Sequence, residues 1–155
     1  MTRSAAISAV IGLAAALVPV GCGGEGPEAI DTASDACSRC RMSIEQLAHA
    51  GEMITSDRRV RKYDSLGCLA LDHHDERAAG RAPRGAWVYD FDTRQWLKAE
   101  EAFFALASLP TDHMGYGIAA TRARERAVQL AGGVDQKVVR WEGLHAAVVS
   151  LEAQR

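Results

Sequence analysis

Between residues 46 and 153, short strand-like and helix-like segments alternate with hairpins among them, and this order constrains the fold more than any other feature. Residues 46–55 and 60–63 read as strands joined by the polar turn Ser56-Asp57-Arg58-Arg59. Asp64 or Ser65 then caps a helix that runs through Leu66, Leu69 and Ala70 toward Glu76 and stops at Gly80. Residues 86–91 and 95–98 form a second hairpin, and 99–106, apolar with acidic residues near its start, is expected as a short helix. Residues 114–119 read as a strand and 122–131 as a helix stopped by Gly132 and Gly133. A brief strand at 138–140 and a closing helix at 141–153 complete the order. Such interleaving predicts an α+β fold rather than a doubly wound parallel sheet. It also has a weak twofold character: hairpin, helix and strand over 46–91, then a similar order over 95–140.

The N-terminal part belongs to another class of sequence. Arg3 is the only charge before Glu25, and residues 5–20 are apolar or small. A membrane span needs roughly 20 apolar residues, so this shorter run reads as a secretory signal over residues 1–21. It ends in Val20-Gly21-Cys22, which resembles the bacterial lipoprotein box, although Pro19 stands where that box usually has Leu. Cys22 is therefore expected to carry the lipid, with residues 22–36 as a flexible tether rich in Gly, Pro, Glu and Asp. Removing residues 1–21 from the 155 leaves 134, enough for one compact domain over 37–153. The formal charge of −2, with acidic and basic residues nearly balanced, provides no electrostatic pull toward nucleic acid or an anionic membrane surface.

Chemistry concentrates in Cys37-Ser-Arg-Cys40-Arg-Met42, three sulfur side chains within six residues. Two thiolates and a thioether suit soft Cu(I), whereas zinc rarely takes a thioether. Setting Cys22 aside leaves Cys37, Cys40 and Cys68, an odd number that a simple disulfide scaffold cannot use up. A disulfide, a redox pair and half of a zinc site remain open alternatives. A redox pair is expected where a buried strand leads into a long helix, and here the pair follows a polar leash. A zinc site completed by Cys68 and His73 or His74 meets a geometric obstacle. On a helix those histidines stand about 140° and about 120° from Cys68, on opposite sides.

Met114 lies between His113 and a glycine-rich turn, where ligand and core filler are equally reasonable readings. Cys68 reads slightly better as a small buried hydrophobe, although Asp64, four residues before it, can face the same space. Met53, Trp87, Trp96 and Trp141 read as core, and His49, His73, His74 and His145 as residues of solvated faces or helix ends.

Several motifs in order resemble the NosL family, extracytoplasmic lipoproteins associated with copper delivery to nitrous oxide reductase. They are Cys37-x-x-Cys40-x-Met42, Tyr63-Asp64-Ser-Leu-Gly67-Cys68, and Trp87-Val-Tyr-Asp90 with Trp96-Leu-Lys-Ala-Glu100. Met114-Gly115-Tyr-Gly117 and the segment from Gly132-Gly133 to Arg140-Trp141 follow. The resemblance implies one compact α+β domain of two related ββαβ-like units, similar to part of the organomercurial lyases. It implies a Cu(I) ion held by Cys37, Cys40, Met42, His113 and Met114, with Cys68 and Asp64 as further possible ligands. It also implies a lipid-anchored carrier in the periplasm or cell envelope, not an enzyme, with an apo copper enzyme or its membrane assembly complex as partner. Arg41 stands where relatives commonly have Gly, and His113 where many have Pro. A thiol–disulfide oxidoreductase, a lyase-like enzyme and a copper buffer without a client are the competing readings.

Overall fold

The computed structural model describes residues 26–107, 109 and 114–154. Residues 1–21, expected as a secretory signal, Cys22 and His113 lie outside them.

Strand β1 (Gly51–Ile54) turns back into β2 (Val60–Tyr63), helix α1 (Leu66–Ala78) crosses over, and β3 (Gly85–Tyr89) returns on the other side of β1. Strand β4 (Trp96–Lys98) extends the sheet beyond β3, giving the antiparallel order β2-β1-β3-β4. The second unit repeats the scheme. Strand β5 (Phe103–Leu106) is the centre of an antiparallel sheet, flanked by β6 (Ile118–Thr121) and β7 (Val138–Val139), with α2 (Arg124–Leu130) between those two in sequence. Helix α3 (Trp141–Glu152) closes the chain against α1. The twofold order expected from the sequence is thus a pair of ββαβ units, each with its first strand in the middle. The second unit begins at β5 rather than at residue 95, because β4 is the hairpin mate of β3.

One buried cluster joins the units. Met53, Tyr63, Leu66, Leu69, Val88 and Leu97 of the first pack with Phe104, Ile118, Trp141, Leu144 and Val148 of the second and of α3. Each fully buried large apolar side chain contributes roughly 1.5–3 kcal/mol over its exposed state, which makes the two sheets one core. Local chemistry sets the element ends. The Ser65 hydroxyl accepts from the Gly67 amide at the start of α1. Gly132 and Gly133 take φ of 72° and 79° after α2, a conformation that costs residues with a Cβ about 1–2 kcal/mol.

Three expectations are corrected. Residues 99–106 are not a helix: one 3-10 turn (Ala99–Glu101) leads into β5. Phe103 and Phe104 prefer a pleated surface, and pairing with β6 and β7 outweighs the acidic start. The tether is not a free leash over its described part. The Glu28 amide donates to both oxygens of buried Glu52, Lys62 Nζ donates to Ala29 O and to Asp35, and Ile30 is buried with Ile44, Ala50 and Tyr89. His49 is buried rather than solvated, its Nδ1 3.0 Å from the Ile118 carbonyl oxygen.

Candidate metal centre

Residues 37–42 form a tight loop that its own backbone holds closed. The Cys37 amide donates to Met42 O at 2.8 Å and the Arg41 amide to Cys37 O at 3.1 Å, while Ala36 bridges Ser43. The Ser38 amide donates to Lys62 O at 2.8 Å, which fixes the loop to β2. Arg41 sits at φ 68°, the left-handed conformation that glycine adopts without cost. Arg39, between the two cysteines, reaches over α1 and donates to Asp75 at 2.8 Å, with Asp72 3.6 Å away.

The loop lies at the start of α1, and there the structure adds what sequence spacing left undecided. Sγ of Cys37, Cys40 and Cys68 and a carboxylate oxygen of Asp64 all lie within 4.8 Å of one another. Ligands about 2.3 Å from a shared ion stand about 4 Å apart, so this group has the dimensions of a metal site. All three thiols are free. Cys68 is therefore a member of the site and not only core filler, and Asp64 points inward beside it. Asp64 directly precedes the capping residue of α1, between β2 and the helix, and Cys68 lies in the first turn, so both stand at the same end of α1. A Cys-x-x-Cys followed by Asp-x-x-x-Cys at a helix start was the available sequence signal.

Charge in this enclosed group is shared unevenly. Cys37 and Cys68 are 0% and 1% exposed, and Cys40 is half-buried. A hydrogen bond from Cys68 outweighs burial at Cys37 and holds its thiol well below the ordinary range, down at about 4. The same bond, with burial, pushes Cys68 far above its ordinary value. Burial pushes Cys40 up to about 11. Burial, reinforced by the Cys37 thiolate, raises Asp64 to about 6. Cys40 donates to Asp64 Oδ1 at 3.3 Å, while Oδ2 is buried without a hydrogen-bond partner. An orphaned carboxylate oxygen among thiols costs roughly 1–3 kcal/mol, and a cation in the group would satisfy it.

The remaining sequence candidates fall as follows. Met42 is on the rim, 39% exposed, two residues from Cys40. Met114 is partly buried and packs on the core cluster that contains Cys37 and Cys68, as does Cys40. The turn carrying Met114 is held over α1 by Tyr116. A Cβ on Gly67 would stand 2.3 Å from the Tyr116 ring, and the Tyr116 hydroxyl donates to Glu152 of α3 at 2.7 Å. His113 lies outside the described residues. His73 and His74 are not part of the group: His73 packs edge-on against Trp141, and His74 stacks on His145. Asp72, one turn after Cys68, is taken by Arg61 and the Tyr63 hydroxyl.

No family model matches the chain, and neither does any curated protein. Among solved structures it is similar to the copper chaperone NosL from Shewanella denitrificans, at 21% identity and a TM-score of 0.66. The likeness covers 77% of this chain and 96% of that one. The two-unit α+β architecture of this chain is thus the fold of that NosL protein.

Proposed function

We propose that this protein is a Cu(I) carrier of the cell envelope, tethered through Cys22, that delivers copper to an extracytoplasmic copper enzyme, with nitrous oxide reductase as the client the family resemblance names. The observation that carries the reading is the convergence of three free thiols and a buried carboxyl within 4.8 Å. Thiolate sulfur selects soft ions, and a protein whose fold this chain shares is a copper chaperone.

The site's asymmetry suits transfer. The lowering of Cys37 favours its thiolate, so an arriving ion displaces a proton there more readily than at Cys40 or Cys68. Cys40 and Cys68 must each release a proton to bind as thiolates, and acid therefore weakens the complex. Cys40 is the accessible thiol and Met42 stands on the rim beside it. A partner's ligands can replace those two first and draw the ion outward one bond at a time. Met114, which packs on the same core cluster as Cys40, is the further thioether that the family resemblance offers. A lipid at Cys22 would keep the carrier close to a membrane-bound assembly partner and raise their effective concentration.

An enzyme using the thiols is the second reading, and the burial pattern runs against it. A nucleophilic thiol is accessible and has a lowered pKa, whereas here the lowered thiol is fully buried and the accessible one is raised. Turnover of a dithiol or an organomercurial by the reduced protein would support that reading.

The copper reading is tested by titrating the reduced protein with Cu(I) against a competing chelator. One equivalent is expected, with at least tenfold weaker binding in Cys37→Ser, Cys40→Ser and Cys68→Ser. Unchanged affinity in all three would remove the site. Loss of metal from a copper enzyme on deletion of the gene separates a carrier from a buffer.

A further inference from the structure

The first sheet has two faces of different chemistry. Met53, Tyr63 and Val88 point into the core, and Glu52, Ile54, Val60, Lys62, Trp87 and Lys98 alternate with them on the outer face. Residues 28–36 cross part of that outer face as a strap, held through the Glu28 amide on Glu52 and through Lys62 on Ala29 and Asp35. The rest of the face is open as a surface groove of about 1310 Å³. Ile54, Val60 and Trp87 of the sheet line it, together with Gly26, Pro27 and Glu28 where the strap starts. Three cations, Arg58, Arg84 and Lys98, and three carboxylates, Glu28, Glu100 and Glu101, also border it. All six are exposed, and none forms an ion pair among the described residues.

Chain length limits what can lie against this groove. Cys22 stands four residues before Gly26, and four residues reach at most about 14 Å. The bonds from Glu28 to Glu52 fix the chain to the sheet directly after that link. A lipid on Cys22 would therefore hold a bilayer surface within about 14 Å of the groove. A domain with a radius of gyration of about 13 Å cannot turn this face away from the membrane on so short a link.

We propose that the groove is the membrane-facing surface of the protein and seats phospholipid headgroups of the bilayer that carries the Cys22 lipid. The inference rests on the lipid-anchored reading above. A zwitterionic headgroup presents a phosphate and an ammonium, and the unpaired cations and carboxylates of the rim match both. The guanidinium groups of Arg58 and Arg84 suit phosphate oxygens in particular. Trp87 lies among them as an amphipathic ring of the kind enriched at the headgroup level. The thiol group stands at the other end of β2, which starts at Val60 in the groove and ends at Tyr63 beside Asp64. Four strand residues separate them by about 13 Å, so seating at Val60 leaves Cys40 and Met42 uncovered.

The test places the mature lipidated protein in nanodiscs of phosphatidylethanolamine and phosphatidylcholine that contain a nitroxide-headgroup lipid. Mass spectrometry first establishes the lipid on Cys22; its absence would remove the anchored reading and this one with it. Backbone amides of residues 54–60 and 84–87 are expected to broaden at least twofold more than those of 38–42 and 66–74. A flexible Gly/Ser stretch inserted after Gly24 lifts the length constraint, and the same amides should still broaden most. Arg58→Glu with Lys98→Glu in that lengthened protein should even out the broadening, with unchanged circular dichroism. Uniform broadening in the lipidated wild type, loss of the pattern on lengthening, or an unchanged pattern in the double variant would overturn the proposal and leave the anchor in place.

Discussion

The Cys40 thiol donates to Asp64 Oδ1 at 3.3 Å while the other oxygen of that carboxyl is buried without a hydrogen-bond partner. Metal-free, the protein keeps an unsatisfied acceptor beside three thiols, an arrangement whose cost a cation removes. Asp64→Asn keeps the shape and withdraws the charge. Groups that support metal ligands typically carry 10–100-fold of affinity, so Cu(I) binding by Asp64→Asn should fall by at least tenfold in chelator competition, with the fold intact by circular dichroism. Equal affinity would leave Asp64 outside the metal's surroundings.

Gly67 is the seat of the Tyr116 ring. Elsewhere in a helix Gly→Ala gains about 1 kcal/mol from propensity. Here the new methyl would stand 2.3 Å from the ring, and overpacking of this kind costs about 1–3 kcal/mol. Gly67→Ala is expected to destabilise the protein in urea unfolding, and Gly67→Ala with Tyr116→Ala to regain the part owed to the clash.

Arg41 holds φ 68° in the loop that presents Cys37, Cys40 and Met42. A residue with a Cβ is disfavoured there by about 1–2 kcal/mol, partly offset by the freedom that Gly adds to the unfolded chain. Arg41→Gly should therefore leave stability unchanged or raise it by up to about 1 kcal/mol, read from the denaturant midpoint, with Cu(I) affinity preserved. A loss above 1 kcal/mol would mean that the Arg41 side chain holds the loop.

Glu52 is a fully buried carboxyl under the strap of residues 28–36, and burial raises it to about 7 from an ordinary 4.5. A group whose folded value is raised contributes stability that is complete below the unfolded value and lost as pH climbs through the folded one. The contribution of Glu52 to the unfolding free energy, read as the difference between wild type and Glu52→Gln, should thus decline between about pH 4.5 and 7, by up to about 3 kcal/mol at 1.36 kcal/mol per pH unit. Urea midpoints of the two proteins taken at pH 5, 6 and 8 measure it. Parallel pH profiles in wild type and Glu52→Gln over this interval would show that Glu52 does not titrate on unfolding.

Legibility followed the range of the interactions. The hairpin over β3 and β4, the Ser65 cap, the Gly132-Gly133 stop and the closing helix each depend on neighbours a few residues away, and each was readable in the sequence. Residues 99–106 were misread because their state depends on β6 and β7, partners that local propensity does not reveal. The strap over 28–36 was misread for a similar reason. Its composition is that of a linker, and the distant acceptor on Glu52, the donor on Lys62 and the burial of Ile30 against Ile44, Ala50 and Tyr89 hold it down.

The same division runs through the candidate centre. By itself the amino-acid order placed Cys37 and Cys40 in one turn, left an odd number of thiols, and set His73 and His74 on faces of α1 away from Cys68, since a helix advances about 100° per residue. Tertiary structure alone decided that Asp64 and Cys68 join the pair, because their approach depends on the loop at 37–42 being fastened to Lys62 of β2 just before that strand gives way to α1. It alone decided that the thiols are unequal, Cys37 lowered and Cys68 raised, since that follows from burial and from the approach of Cys37 to Cys68, two residues that only folding brings together.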